Sequence, residues 1–292
     1  MALKTDTTQG KFEFPFTQED FEKLRNIVTS ETGIMLPDGK KTMMYTRLVR
    51  RLREFKLADF SAYIKYVESE QNTGKDDELL FIVNAMTTNV TAFFRENHHF
   101  EHLTEHLDDL VKKFGEVHIW SCACSSGQEP WSIAMVVGEY LEKNPSARIK
   151  IMATDIDTNM VKHGEAGIYK LEPSEVEANP HLKKWFKKTA EASSGIIKQA
   201  TYEIDSKLRS LVTFKQMNLL KPWTITNPAF HVVFCRNVII YFSKETQRGL
   251  FANIEKKMPI DSLLYIGHSE SLLEVSTAYE TKGRTIYTKK VE

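Results

Sequence analysis

The sequence predicts an α/β protein with an all-helical N-terminal domain, and three observations carry that expectation. Up to about Asn97, apolar residues recur at intervals of three and four with no alternating run between them, which is the period of amphipathic helices. From about Glu116, short β-rich runs alternate with helical ones, the pattern of a mostly parallel sheet with helices on its faces. Residues 168–210 form an interval too long and too polar for a simple crossover helix, and are expected to be an inserted β subdomain. At 292 residues the chain can bury a large core and divides more naturally into two units than one. The expected parts are a helical domain over residues 1–86, a linker over 87–99, and an α/β domain over 100–292.

Thr17 is placed to cap the first helix, with Asp20 three residues on, Phe16 and Phe21 as a hydrophobic staple, and Gly33 as the stop. The next helix carries Met44, Leu48, Leu52 and Phe55 on one stripe. Around the stripe stand Lys40, Lys41, Arg47, Arg50, Arg51 and Arg53, opposed only by Glu54, and so single-signed a run favours an anionic partner over a merely solvated face. A helix at Phe60–Val67, a polar turn at Asn72-Thr73-Gly74 and a helix at Asp77–Met86 complete the domain. The first strand is expected at Val117–Cys124 with its helix at Pro130–Tyr140, and the second at Ile149–Thr154 with a helix at Asn159–Ala166. Gly195-Ile196-Ile197 and Ala200-Thr201-Tyr202 are expected in the β subdomain, and Leu211–Gln216, His231–Cys235, Leu263–Ile266 and Thr285–Thr288 supply later strands.

Lysine plus arginine and aspartate plus glutamate number 39 each, so no global field draws the protein onto nucleic acid or an anionic membrane. Cys122, Cys124 and Cys235 lie in apolar runs. The spacing of the first two puts both on one face of a strand, but no second pair completes a zinc site; buried thiols in a reducing cytosol are expected, and no metal. The first thirty residues hold no apolar signal region, and no stretch approaches about 18 consecutive apolar residues. A cytoplasmic protein without membrane insertion is therefore expected, monomeric because no heptad repeat is visible.

A strand ending in small residues, followed by a turn and a helix, is where an open α/β sheet binds a nucleotide-like ligand. Ser121-Cys122-Ala123-Cys124-Ser125-Ser126-Gly127 is such a stretch. It lacks the Gly-Lys-Ser/Thr of a phosphate loop and has one glycine where the dinucleotide fingerprint has three, which suits a nucleoside without phosphate such as adenosylmethionine. Glu129, three after Ser126, is placed either for the ligand or to close a capping box. Asp155, at the end of the second strand, is placed to accept two ribose hydroxyl protons or to cap the helix that follows.

Five segments together resemble the CheR family, the chemoreceptor glutamate methyltransferases of bacterial chemotaxis: Thr87-Thr88-Asn89-Val90-Thr91-Ala92-Phe93-Phe94-Arg95-Glu96; Ile119-Trp120-Ser121 through Gly127-Gln128-Glu129-Pro130-Trp131-Ser132; Ala153-Thr154-Asp155-Ile156-Asp157; Phe234-Cys235-Arg236-Asn237-Val238-Ile239-Ile240-Tyr241-Phe242; and Gly267-His268-Ser269-Glu270. The similarity covers nearly the whole chain in order, including the basic helix. It implies a class I adenosylmethionine-dependent methyltransferase, with a Rossmann-like, mostly parallel seven-stranded sheet and a small β-subdomain insertion behind the helical domain. The implied reaction makes glutamate methyl esters on receptors, leaving S-adenosylhomocysteine, in a cytoplasmic bacterial protein recruited to receptor arrays.

Carried over position by position, the resemblance implies cofactor contacts at Asn89, Thr91, Arg95, Glu129, Asp155, Asn218, Leu219, Arg236 and Asn237, with Arg95 and Tyr241 closest to the reacting methyl group. The receptor's helical bundle is the implied partner of Arg47, Arg50, Arg51 and Arg53. Gln128 and Trp131 stand where many relatives have Glu and Tyr. The loop Lys187–Ser194 lacks the glycines of relatives whose β subdomain grips a tethering peptide, which argues against tethered recruitment.

A glutamate carboxylate has an unperturbed pKa near 4.3, so at neutral pH it is already the nucleophile and no general base is required. Arg95 suits a clamp for that carboxylate and Tyr241 a donor that orients it. The plainer alternatives are an ion pair of Arg95 with Glu96 or Glu101, and packing of Tyr241 beside Phe242. Asn227-Pro228-Ala229-Phe230 superficially matches the Asn-Pro-Pro-Tyr/Phe motif of nucleic-acid amino-methyltransferases, but it precedes a strand instead of following one. A non-catalytic, adenosylmethionine-sensing receptor adaptor is the remaining alternative, and retention of both Arg95 and Tyr241 argues against it.

Overall fold

The computed structural model describes residues 12–191, 199–223, 225 and 229–290. It divides into two compact units: residues up to Thr88 together with Tyr241–Ser243, and Asn89–Ile240 together with Lys244 onward. Among the described residues, no helix is long and apolar enough to cross a membrane.

The first unit holds α1 (Gln18–Thr32), a 3-10 turn (Asp38–Lys40), α2 (Lys41–Phe55), α3 (Phe60–Asn72) and α4 (Asp77–Met86). The expected capping box is formed: Asp20 N–H donates to Thr17 Oγ1 at 3.0 Å and Thr17 N–H donates to Asp20 Oδ2 at 2.9 Å. The Phe16 and Phe21 rings meet edge-on, and Gly33 ends the helix at φ 71°. Phe21, Leu24, Met44, Leu48, Phe60 and Ile82 close the core between the four helices.

The basic helix α2 is less single-signed than its sequence. Two further acids join Glu54: Glu78 of α4, with a side chain only 1% exposed, pairs with Arg51, and Glu13 pairs with Arg53. The Arg51 guanidinium also lies over the Phe55 and Phe81 rings, while Tyr63 donates its hydroxyl to Glu78 at 2.6 Å. Arg47 Nη1 donates to the carbonyls of Ala85 and Thr87 at 2.8 and 2.9 Å, capping the end of α4. Arg47 and Arg51 are thus committed inside the unit, while Arg50 and Arg53 are exposed.

The second unit opens with α5 (His98–Phe114) and continues through β1 (Glu116–Cys122), α6 (Gln128–Lys143), β2 (Arg148–Asp155), α7 (Thr158–Ala166) and β3 (Ile168–Leu171). Then come α8 (Pro173–Ala178), α9 (Pro180–Trp185), β4 (Phe186–Ala190), β5 (Ala200–Ile204), α10 (Ser206–Arg209) and β6 (Val212–Gln216). The chain ends with β7 (Val232–Cys235), a 3-10 turn (Ile239–Tyr241), α11 (Lys244–Glu255), β8 (Leu263–Ile266), β9 (Tyr279–Gly283) and β10 (Ile286–Lys289). Among the described residues the main sheet has seven strands in the order β6-β2-β1-β7-β8-β10-β9, parallel as far as β8, with β10 pairing antiparallel to both β8 and β9. The chain leaves β1 toward β2 on one side and places β7 on the other. The carboxyl ends of β1 and β7 therefore flank the crevice where open α/β sheets take their ligands.

The β subdomain is the antiparallel sheet β3-β5-β4. Its central strand buries Ala200, Tyr202 and Ile204 and leaves Thr201 and Glu203 half-buried, the period of two expected of a one-sided strand. Gly195-Ile196-Ile197, the end of the Lys187–Ser194 loop and Asn227-Pro228 lie outside the described residues. One expectation is corrected at β1. The strand stops at Cys122 because Ala123 turns to φ 55°, so Cys124 sits in the turn and shares no strand face with Cys122. All three cysteines are buried free thiols.

Candidate active site

The turn after β1 alternates its backbone hand, with Ala123 at φ 55°, Ser125 at φ 50° and Gly127 at φ 95°. Cys124 N–H is held by the Thr154 carbonyl at 2.9 Å, and the Tyr169 hydroxyl donates to the Ser126 carbonyl at 2.8 Å. Glycine is required at 127 for two reasons. Its φ is left-handed, and a Cβ there would stand 2.6 Å from the Gly164 Cα and 2.8 Å from the Tyr169 hydroxyl. Gly127, not Ser126, is the N-cap of α6, so Glu129 closes no capping box.

Asp155 ends β2 with 6% of its surface exposed. Ser125 N–H donates to Oδ2 at 2.7 Å and Asp157 N–H to Oδ1 at 2.9 Å. Burial raises its pKa to about 6 despite these amides, which favour the anion. Helix α7 is capped by Asp157 and not by Asp155, since Asp157 Oδ1 accepts the Asn159 N–H at 2.9 Å. Asn89 donates from Nδ2 to Asp157 Oδ2 at 2.9 Å, and its carbonyl accepts from Ser125 Oγ at 3.3 Å. The structure thereby brings Asn89, Asp155 and the β1 turn together.

At the carboxyl end of β7 the Arg236 side chain is only 1% exposed, lying between two acids. Nη1 pairs with Glu129 at 2.9 Å, and Nη2 pairs with Glu96 at 3.1 Å and donates to the Arg95 carbonyl. Ser121 Oγ holds the other Glu129 oxygen at 2.7 Å. Burial raises the Glu129 pKa against the pull of Arg236. Asn237, at φ 57°, is fixed by Glu270, whose carboxylate accepts N–H groups from Asn237 at 2.9 Å, Gly267 at 2.6 Å and Ile239 at 3.0 Å.

Asn218 and Leu219 follow β6 beside Asp155, whose carbonyl accepts the Met217 N–H at 2.8 Å. Asn218 Oδ1 accepts the Leu220 N–H at 2.9 Å, and the buried Leu219 accepts Trp223 Nε1–H at its carbonyl at 3.0 Å. Thr91 is half-buried on the stretch from Asn89 to Arg95. Arg95 makes neither of its alternative ion pairs: Nη1 donates to the Val90 carbonyl at 3.0 Å, Glu96 engages Arg236 and His268, and Glu101 accepts from Asn97. Tyr241 belongs to the first unit, where its carbonyl accepts the Met35 N–H at 2.9 Å. Sequence reasoning gave Glu96 only as an alternative ion-pair partner of Arg95 and assigned no role to Asp157 or Glu270; all three stand within quoted motifs, but Arg236, Asn89 and Asn237, which they engage, lie in distant segments.

Comparison with known proteins agrees with this architecture. The CheR methyltransferase all-alpha domain matches residues 19–87, and the CheR methyltransferase SAM-binding domain matches residues 89–288. The chain is 37% identical over 268 residues to the chemotaxis protein methyltransferase of Escherichia coli K12, covering 91% of this chain and 89% of that one. It is 37% identical over 279 residues to chemotaxis protein methyltransferase 2 of Pseudomonas aeruginosa, covering 95% of each. A probable chemotaxis protein methyltransferase of Rhizobium etli is 35% identical, with 89% of this chain and 96% of that one covered.

Proposed function

The chain belongs to the CheR methyltransferase family, and from that premise we propose that the residues at the ends of β1, β2 and β7 hold S-adenosylmethionine while a receptor glutamate is methylated. It is an S-adenosylmethionine-dependent chemotaxis protein methyltransferase acting on chemoreceptors. The observation that carries the residue-level reading is Asp155. Its two oxygens accept the Ser125 and Asp157 amides, and a carboxylate, with about four acceptor directions, keeps capacity for the ribose hydroxyls of a nucleoside. The turn fits as well, because Gly127 admits no side chain and packs directly against Gly164 and Tyr169, which fixes the bend after β1 beside Asp155. Glu96 and Glu129 share the single guanidinium of Arg236, so two acids face one fixed cation in a cluster that suits a cationic sulfonium compound.

When bound, S-adenosylmethionine supplies a methyl group on a positively charged sulfur. The receptor glutamate is anionic at neutral pH, so the protein's task is positioning and exclusion of water, and positioning can supply about 7–11 kcal/mol. Arg95 clamps the substrate carboxylate through its planar fork, and Tyr241 orients it. Asn89, Thr91, Asn218, Leu219 and Asn237 line the cofactor. A receptor helical bundle docks through its acidic surface on exposed Arg50 and Arg53, while Arg47 and Arg51 hold the helix that presents them. The test is incubation with methyl-labelled S-adenosylmethionine and a receptor cytoplasmic fragment, followed by alkali. Base-labile label on glutamate is expected; alkali-stable label, or none, rejects ester formation and returns the adaptor reading.

A further inference from the structure

We propose that Glu96 is a positioning residue for methyl transfer, its carboxylate and Arg236 together fixing Arg95 at the reacting centre. The inference rests on the role given to Arg95 above and adds the device that holds it. Glu96 follows Arg95 directly and sits at φ 57°, with Phe94 at φ 53°, a conformation disfavoured for residues with side chains. Two such residues on either side of Arg95 persist only where surrounding contacts enforce them.

Those contacts come from two distant segments. Arg236, at the end of β7, reaches Glu96 Oε2 at 3.1 Å, and Asn237 Nδ2 donates to Oε1 at 3.4 Å. His268, after β8, donates to Oε1 from its backbone N–H at 3.2 Å and meets it with ring Nδ1 at 2.9 Å. Burial alone would raise the pKa of Glu96, but His268 and Arg236 hold it at about 2, so the side chain is an anion throughout the working range. The neighbouring His99 does not neutralise it. That ring lies 3.6 Å away and is kept uncharged by burial, with a pKa lowered to about 3. Arg236 closes the circuit by donating Nη2 to the Arg95 carbonyl, so the backbone of Arg95 is tied both through its neighbour's side chain and through its own carbonyl. Phe94, by contrast, is anchored independently, buried against Phe100 at 5.2 Å with its N–H on Ser132 Oγ at 3.0 Å. The Phe94 turn is therefore held by contacts that do not involve the Glu96 carboxylate.

Glu96→Gln keeps the shape and removes the charge that Arg236 requires. With a receptor fragment as acceptor, kcat is expected to fall about tenfold or more, while the Kd for S-adenosylhomocysteine moves by less than about threefold. In the Arg95→Ala background the same change is expected to cost almost nothing further, because the residue it positions is gone. Glu96→Asp, which keeps the charge, restores part of kcat. His268→Ala, at a side chain 67% exposed, supplies a variant that does not threaten folding; it is expected to lower kcat about threefold with the Kd unchanged. Unchanged kcat in both Glu96→Gln and His268→Ala, parallel loss of kcat and cofactor affinity, or additive losses with Arg95→Ala would each overturn the proposal. Failure of the wild-type protein to bind S-adenosylhomocysteine or to label the receptor would instead remove the reading on which it rests.

Discussion

Arg51→Ala leaves a buried carboxylate without its cation. In the intact protein Glu78, 1% exposed, receives Arg51 Nε at 2.8 Å, a second bond from Nη2, and the Tyr63 hydroxyl at 2.6 Å. Removing one partner of a buried ion pair costs about 3–5 kcal/mol, because the remaining charge keeps its desolvation penalty. Arg51 is itself 19% exposed and the Tyr63 bond survives, so water reaches the site and the lower end applies, about 3 kcal/mol. At about 1.4 kcal/mol per factor of ten, that is roughly two powers of ten in the local opening equilibrium. Hydrogen exchange followed by mass spectrometry reads it directly: amides of α2 and α4 exchange about a hundredfold faster, while those of β1 keep their protection. Arg53→Ala is the control, since that pair is 56% and 52% exposed and its loss leaves protection unaltered. Protection of α4 unchanged in Arg51→Ala would refute the assignment of Arg51 to the unit's interior.

Three further outcomes are expected. Because burial raises Asp155 to about 6 and its anion is the form that accepts ribose hydroxyls, S-adenosylhomocysteine affinity is full above neutrality and falls through pH 6, by about tenfold between pH 7.5 and 5. A flat calorimetric profile over that range is inconsistent with an Asp155 contact. Gly127→Ala forces a Cβ to within 2.6 Å of backbone at φ 95° and should destabilise by about 1–3 kcal/mol while weakening cofactor binding; thermal melts and affinities matching wild type would contradict the close-approach argument. Arg50→Glu combined with Arg53→Glu should lower receptor methylation about tenfold or more without altering cofactor affinity, and equal loss of both would speak against a docking face.

The layers of the fold were legible wherever burial leaves a periodic trace. Strand β8 was readable because it is a continuous apolar run, and α4 because its acids precede an unbroken hydrophobic stretch. Helix α5 escaped notice: its stripe of Phe100, Leu103, Leu107 and Leu110 is interleaved with histidines and acids. Strand β9 escaped because only Tyr279 is buried and four exposed residues follow, so no alternation exists to read. Charges were legible as signs but not as pairs. Arg51 finds Glu78 across 27 residues and Arg236 finds Glu129 across 107, and such separations leave no local pattern. For the same reason the small-residue turn and Asp155 could be marked from sequence, whereas the circuit through Glu96 and the amide-binding role of Glu270 required the assembled sheet edge.

Titration of the wild-type protein and of Asp155→Ala with S-adenosylhomocysteine in a calorimeter at pH 7.5 tests the pocket most directly. A single saturable site in the wild type and loss of at least about two powers of ten in affinity in the variant are expected, since two hydrogen bonds to a buried anion are lost. Equal affinity in both proteins, or no binding by the folded wild type, would contradict the placement of the cofactor at the ends of β1 and β2.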